Sequence, residues 1–331
     1  MRLITIEEYN DKTMQLARPI YDRHRRVLLA AGRTIHPKYL ERLKQMDIKY
    51  LFVDDFISDG ISMEELVDMP TWMDAVEVVQ QAFEDAKVNK LLDIRAIQKL
   101  AFKLLDEVSK RKILIIIPST SLASELQLYA HAVNVALLAL QLGKKLMLNH
   151  LQMNDLAIGA LLHDIGKAVK GEEHHTVKGF NYLRKNREIS LLSAHVAYQH
   201  HEMFNGEGVP RQIHDQQIHQ YAQICGIANR FENLLSKEGV PPHEAMEILM
   251  AKSDIDFSQQ LVRLFINTIP SYPPGTTVTM SDGKEAIVTK IVDHMQRPHI
   301  RYLSTNEEVS LAERPNLLIV NISQEQSGSN G

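Results

Sequence analysis

Apolar and polar positions follow two periodicities along the 331-residue chain, which place helices in its middle and strands at its ends. Between Trp72 and Lys112, apolar residues recur three and four positions apart, most clearly from Ile94 to Val108. This spacing is typical of the core-facing stripe of a helix. Pro118 then interrupts the pattern, and residues 119–269 predict five or more helices joined by polar connections.

The two ends carry shorter, strand-like patterns. Near the N-terminus, β-prone runs at 27–29 and 51–53 flank a short amphipathic helix at 37–46. Beyond residue 270, Thr277 to Met280 alternates as a strand does, and Asp282-Gly283 is a strong hairpin-turn signal. The fold class predicted is therefore mainly α, a helical bundle with a small mixed α/β N-terminal module and a small β-rich C-terminal module.

These changes of pattern predict five segments along the chain. Acidic and small residues near 54–59 read as a boundary, and the last residues are almost entirely Ser, Gly, Asn and Gln. The segments are an N-terminal α/β module (1–57), a helical linker or regulatory segment (58–118), a metal-binding helical domain (119–270), a β-rich module (271–323) and a disordered tail (324–331).

Composition narrows the class of protein. A net charge of −4 gives no reason to expect DNA or RNA as a partner. No segment reaches the run of about 18 apolar residues that a membrane helix requires, and the N-terminus lacks the apolar core of a signal peptide. The single cysteine, Cys225, rules out an internal disulfide. We therefore expect a cytoplasmic protein.

The chain contains fifteen histidines, most of them between positions 131 and 219. Taken singly, each is explained by core packing or by a solvated surface. As an ordered set on facing helices, imidazoles and carboxylates are a recurrent way to hold one or two divalent ions. The candidate ligands are His131, His163, Asp164, His175, His200, His201 and Asn229.

Two of these candidates have a specific geometric meaning. His163 and Asp164 follow an apolar run that Asn154 or Asp155 would cap as a helix. Neighbouring helical residues point about 100° apart, so the pair cannot share one face, but it can straddle two metals with the carboxylate bridging them; the alternative is a helix-end aspartate beside a surface histidine. Asn229 lies on the inward stripe of its own helix, where either a core hydrogen bond or a metal would satisfy its amide.

At these residues the segment from about 128 to 269 resembles the HD-GYP domain, a branch of the HD phosphohydrolase superfamily. The family's HDIGK motif stands unchanged at His163 to Lys167. The small domain that often precedes such domains in bacterial chains is similar to residues 17–55. Further matching stretches are Tyr129 to Ala136, His175 with Gly179 and Leu183, His200 to Glu202 with Gly208 to Pro210, and Ile227 to Phe231. The second of these favours His175 over its neighbour His174.

The resemblance implies a helical bundle that holds two divalent transition-metal ions, iron or manganese, and hydrolyses a cyclic dinucleotide of the cyclic di-GMP type in bacterial signalling. It implies that Lys167 contacts the substrate phosphate, that Lys167 and Asp164 are catalytic, and that Gly208 and Pro210 help to bind substrate. The metal ligands that it implies are His131, His163, Asp164, His175, His200 and His201, with Asn229 in the place of a ligand aspartate.

The chain also departs from the family pattern. Besides Asn229, Gln127 replaces a glutamate of trinuclear members, Asn205 and Val209 alter the loop after His201, residues 168–174 form a shortened connection, and a phosphate-binding segment is absent from 236–242. These departures leave two alternatives open: a regulator that binds a nucleotide or a partner without turnover, and a hydrolase of another nucleotide. The retained histidines and Asp164 favour the hydrolase. A homodimer or a signalling protein as partner also stays open.

Overall fold

A computed structural model describes residues 1–322, so the tail predicted at 324–331 lies outside the described residues. The described chain contains ten α-helices and ten β-strands. It divides into two compact units. The first comprises residues 1–64, 120–125 and the described chain from 270 onward, and the second comprises 65–119 and 126–269. The prediction of a mainly helical fold with β-containing ends is confirmed.

The N-terminal part of the first unit is a small α/β module. Its three-stranded antiparallel sheet has the order β1-β5-β2, and β3 pairs with β4 as a separate hairpin. Side chains such as Ile4, Leu43 and Val53 form its core. The elements are β1 (Arg2–Thr5), β2 (Gln15–Leu16), β3 (Ile20–Tyr21), β4 (Val27–Leu29), α1 (Pro37–Gln45) and β5 (Tyr50–Asp54).

The C-terminal part of the first unit is a five-stranded antiparallel sheet of order β10-β6-β7-β8-β9. Gly283 has a φ of 80° in the β6–β7 turn, as the Asp282-Gly283 signal predicts. Strands β9 and β10 were not predicted, because they are short and weakly alternating. The strands are β6 (Thr277–Met280), β7 (Glu285–Lys290), β8 (His299–Tyr302), β9 (Glu308–Ser310) and β10 (Ile319–Ile322).

The second unit is a helical bundle, and α4 passes through its core with 15 buried residues. This helix is long and apolar enough to cross a membrane, but 83% of its apolar stretch is buried inside the protein. The helices after α1 are α2 (Met69–Lys87), α3 (Ile94–Lys110), α4 (Ser124–Lys145), α5 (His150–Leu161), α6 (His175–Leu183), α7 (Leu191–Gln199), α8 (Gln220–Ser236), α9 (Pro242–Ala251) and α10 (Gln259–Thr268). Within α4, Asn134 contacts Trp72 of α2 and Glu232 of α8.

The start of α5 corrects one prediction. Its N-cap is Asn149, whose side chain accepts a hydrogen bond from the backbone N–H of Gln152, while Gln152 caps Asn149 in return. Asn154 and Asp155 lie inside the helix, so the prediction that one of them caps it was wrong. The helix starts earlier because Met147, with a φ of 56°, ends α4 abruptly two residues before the cap.

Candidate metal centre

Four helices place the candidate ligands at a common point. His131 lies in the middle of α4, and His163 and Asp164 follow directly after the end of α5. His175 is the first residue of α6, while His200 and His201 follow the last residue of α7. Most of the candidate ligands lie at the ends of helices rather than along their faces. Because these helix ends meet at one point, side chains that are far apart in sequence converge on it.

Gly166 makes this convergence possible. It lies in a single 3-10 turn, Ile165–Lys167, which packs on the first turn of α6. A Cβ at Gly166 would lie 1.8 Å from the carbonyl oxygen of His175, a distance that no side chain tolerates. Glycine therefore permits the close approach that sets His175 beside Asp164.

Asp164 is the centre of the cluster, and its two oxygens face different histidines. Oδ1 lies 3.3 Å from Nε2 of His175 and 3.6 Å from Nε2 of His200. Oδ2 lies 3.5 Å from Nε2 of His163 and 3.8 Å from Nε2 of His131. The cluster thus consists of two groups that share one carboxylate: His131, His163 and Asp164, and Asp164, His175, His200 and His201.

Hydrogen bonds on the far side of the rings orient the imidazoles. Nδ1 of His163 is 2.8 Å from the carbonyl oxygen of Ala160, and Nδ1 of His200 is 3.1 Å from that of Ala197. Nδ1 of His131 contacts the carboxylate of Glu232. A carbonyl or carboxylate oxygen at Nδ1 fixes the proton there, which leaves the Nε2 lone pair directed at the cluster.

The atoms that face inward lack partners of their own. Within residues 1–322, Nε2 of His131, His163, His175 and His200 has no hydrogen-bond partner, and neither does Oδ1 of Asp164. Buried polar atoms are normally satisfied, and a bound cation would satisfy all five of these atoms at once. Imidazole nitrogen with carboxylate oxygen is a donor set that suits divalent transition metals, so the residues fit such ions.

Burial keeps two of the imidazoles, those of His163 and His201, in the neutral form that binds metal. Burial lowers the pKa of His163 well below its usual value, and it lowers the pKa of His201 to about 2, with His200 adding to the effect. Burial alone would raise the pKa of Asp164, but the surrounding histidines and Lys167 hold it well below its ordinary range. At neutral pH Asp164 is therefore an anion, and the rings of His163 and His201 are neutral.

His174, the rival of His175, has another partner. Its Nδ1 is 2.8 Å from Oγ1 of Thr176, and it belongs to neither group of potential ligand atoms. Asn229 is buried, as its place on the inward stripe predicts, and its Oδ1 accepts a hydrogen bond of 2.9 Å from Nδ2 of Asn233. The amide oxygen of Asn229 is thus engaged by a core hydrogen bond.

The three residues predicted to contact substrate, Lys167, Gly208 and Pro210, lie in two places: Lys167 is beside the cluster, and the other two are in the loop after His201. Nζ of Lys167 donates a hydrogen bond to Oδ2 of Asp164, at the edge of the cluster. Gly208 is buried, and a Cβ there would lie 2.1 Å from the backbone nitrogen of Met203, so close packing alone requires glycine at this position. Pro210 is half-buried in the same loop. The role of Gly208 and Pro210 in substrate binding stays a prediction.

Sequence reasoning missed two residues next to the cluster. Glu232 is completely buried and contacts His131, and Asn134 is completely buried and donates to Glu232. Each lies three residues from a candidate ligand on the same helix, His131 in α4 or Asn229 in α8. A polar residue repeated at that spacing on an inward stripe is the signal that could have identified them.

Comparison with known proteins agrees with this geometry. Residues 128–234 match the model of the HD domain family. A cyclic di-GMP phosphodiesterase of Pseudomonas aeruginosa is 24% identical over 235 residues, which cover 65% of this chain and 56% of that protein. The cyclic di-GMP phosphodiesterase PdeB of Borreliella burgdorferi is 27% identical over 203 residues, covering 54% of this chain and 53% of that protein. The chain thus spans about half the length of these curated relatives.

A solved structure shares the fold. Bd1817, an HDG"Y"P protein from Bdellovibrio bacteriovorus, superposes with a TM-score of 0.51 at 16% identity, covering 80% of this chain and 97% of that one. The HD match contains every candidate ligand, from His131 to Asn229. It does not extend to α2 and α3, which nevertheless belong to the same compact unit.

Proposed function

Residues 128–234 are an HD domain, and from this we propose that the chain is a metal-dependent phosphodiesterase that cleaves a cyclic dinucleotide of the cyclic di-GMP type. The observation that carries the proposal is the position of Asp164. Its two oxygens face two separate groups of histidines, which is the arrangement of a carboxylate that bridges two ions.

Two divalent transition-metal ions, iron or manganese, are the proposed cofactors. His131, His163 and Asp164 would hold one ion, and Asp164 with His175, His200 and His201 the other. When bound, such a pair of ions would lower the pKa of a coordinated water and neutralise the charge that develops on a phosphate ester. The protein itself contributes oriented, mostly buried imidazoles and a single shared carboxylate.

Cations beside the cluster support an anionic substrate. Lys167 contacts Asp164, so a phosphate that approaches Asp164 lies within its reach. A second lysine, Lys237, follows the end of α8 and lies within electrostatic range of Lys167 and Asp164. Burial lowers the pKa of Lys237 and the Lys167 cation lowers it further, while Asp164 and Glu232 raise it. Two ammonium groups within electrostatic range of one carboxylate favour a phosphate ligand.

The substrate class rests on the relatives, both of which are named cyclic di-GMP phosphodiesterases. A second candidate function, nucleotide binding without turnover in a signalling role, is favoured by Asn229. Its neutral amide stands where the family pattern has an anionic ligand, and its oxygen is already engaged by Asn233. One experiment distinguishes turnover from binding without turnover.

The test is to incubate the manganese-loaded full chain with cyclic di-GMP and to separate the products by chromatography. We expect a linear dinucleotide to form, His163→Ala to abolish it, and Lys167→Ala to lower turnover by about 10-fold or more with unchanged manganese content. Lys170→Ala is the matched control, because Lys170 is an exposed lysine in the same loop, and it should behave as wild type. Tight binding of intact cyclic di-GMP with no linear product would instead establish the binding function.

A further inference from the structure

A chain of hydrogen bonds runs from α2 to the metal cluster, and its four members are all buried: Trp72, Asn134, Glu232 and His131. Nε1 of Trp72 donates to Oδ1 of Asn134 over 3.1 Å, and Nδ2 of Asn134 donates to Oε1 of Glu232 over 3.2 Å. The other oxygen of Glu232, Oε2, contacts Nδ1 of His131. We call these four residues the support chain.

Trp72, the member of the support chain farthest from the cluster, determines which group donates and which accepts in each of its hydrogen bonds. An indole N–H can only donate, so Trp72 requires the carbonyl oxygen of Asn134. The amide nitrogen of Asn134 then donates twice, to the backbone carbonyl of Ile117 over 2.8 Å and to Glu232. With the amide orientation set in this way, Oε1 of Glu232 is an acceptor.

Glu232 is held as an acceptor on both oxygens. Oε1 also accepts from the hydroxyl of Ser236 over 2.7 Å, and that hydroxyl oxygen in turn accepts from the backbone N–H of Ser119 over 3.1 Å. Oε2 contacts Nδ1 of His131, and the side chain of Ser119 also hydrogen-bonds the carboxylate. A carboxylate that accepts at Oε2 places the ring proton of His131 on Nδ1 and leaves the Nε2 lone pair facing Asp164.

We propose that Glu232 is a positioning residue of the metal centre, and that Trp72 and Asn134 set its orientation. This inference rests on the proposed metal site. It gives the segment 58–118, which the sequence predicted as a linker or regulatory segment, a direct part in that site, because Trp72 and Ile117 anchor the support chain outside the HD match. A change at α2 would therefore alter metal affinity at the group formed by His131, His163 and Asp164.

The variant Glu232→Gln tests the proposal because an amide cannot accept at both ends. If its oxygen stays with Asn134 and Ser236, its NH₂ group faces Nδ1 of His131 and pushes the ring proton to Nε2, the atom needed for metal. If the amide turns over, its NH₂ group opposes that of Asn134. Either arrangement removes the hydrogen-bonding pattern without changing the volume of the side chain.

The experiment is a Mn²⁺ titration of the metal-free full chain, with folding checked by circular dichroism. We expect wild type to bind two ions and Glu232→Gln to bind one of them about 10- to 100-fold more weakly, the usual cost of losing a partner behind a ligand histidine. Trp72→Phe should weaken the same ion to a smaller extent. Glu107→Gln is the control, since Glu107 is a buried glutamate of the same unit whose side chain pairs with Arg111, and it should bind as wild type does.

A double-mutant comparison separates positioning from a general structural role. If Glu232 acts through His131, Glu232→Gln has no further effect on Mn²⁺ affinity in a His131→Ala background. An equal loss in both backgrounds, an affinity of Glu232→Gln within about threefold of wild type, or a folded wild type that binds no Mn²⁺ would overturn the proposal. No nucleotide is present, so a chain that binds two ions but cleaves nothing would remove the proposed activity and leave this inference intact.

Discussion

Gly166 and His175 are in such close contact that a Cβ on Gly166 would lie 1.8 Å from the carbonyl oxygen of His175. This contact closes the turn after Asp164 against the first turn of α6. It joins the two groups of candidate ligands, because His175 reaches Asp164 only if the two backbones meet at this glycine.

Gly166→Ala should therefore separate the two groups. We expect a lower melting temperature, corresponding to an overpacking cost on the order of 1–3 kcal/mol or more, together with loss of Mn²⁺ from the group that contains His175. Gly179→Ala is the milder change on the α6 side of the same contact, since its Cβ would lie 3.3 Å from the backbone nitrogen of Gly166, and it should cost much less. Equal melting temperatures and metal contents for the two variants would contradict this role of Gly166.

A carboxylate in place of the Asn229 amide should raise the affinity for Mn²⁺. Asn229→Asp keeps the side-chain volume and the acceptor for Asn233, and it adds a negative charge near the proposed ions. We expect tighter Mn²⁺ binding and a larger increase of melting temperature on metal addition than in wild type.

Asn186→Asp is the control, because Asn186 is a buried asparagine of the same unit whose side chain bonds to backbone groups of Leu92, Tyr182 and Leu183. It should lower the melting temperature equally with and without Mn²⁺. If Asn229→Asp also lowers the melting temperature regardless of Mn²⁺, Asn229 is a core amide and lies outside the metal site.

Much of this architecture follows from local patterns in the sequence. The hydrophobic stripes locate the helices, the Asp282-Gly283 turn locates the β6–β7 hairpin, and the order of histidines locates the cluster, because each signal spans only a few residues. The contact of His131 with Glu232 joins residues 101 positions apart, and that of Trp72 with Asn134 joins residues 62 apart. Such pairs depend on how whole helices pack, which periodicity does not encode.

Acid should lower the stability of the first unit because it protonates Asp55. Its Oδ2 accepts a hydrogen bond of 2.8 Å from Nε of Arg2, and its Oδ1 accepts one of 2.9 Å from the backbone N–H of Ser58. Burial alone would raise the pKa of Asp55, but Ser58 and Arg2 together hold it below its ordinary value. A carboxyl with a lowered native pKa stabilises the fold above its unfolded pKa of about 3.9, and this stabilisation is lost as the pH falls through the native pKa.

Asp55→Asn should therefore lower the free energy of unfolding at pH 7 by about 1–3 kcal/mol, the cost of leaving a buried partner unsatisfied. The difference from wild type should persist down to about pH 4 and shrink below it. Urea unfolding of the metal-free chain over this pH range measures it. Asp54→Asn, at a neighbouring position whose side chain is 60% exposed, should have little effect, and a pH-independent difference at Asp55 would contradict the account.

Electron paramagnetic resonance of the chain loaded with two equivalents of Mn²⁺ shows whether Asp164 bridges two metal ions. The opposed oxygens of Asp164 predict two bound ions per chain with the spectrum of a magnetically coupled pair. Asp164→Asn should abolish that spectrum while the chain stays folded. Fully bound Mn²⁺ that gives only the six-line spectrum of isolated ions, in wild type as in Asp164→Asn, would contradict the account.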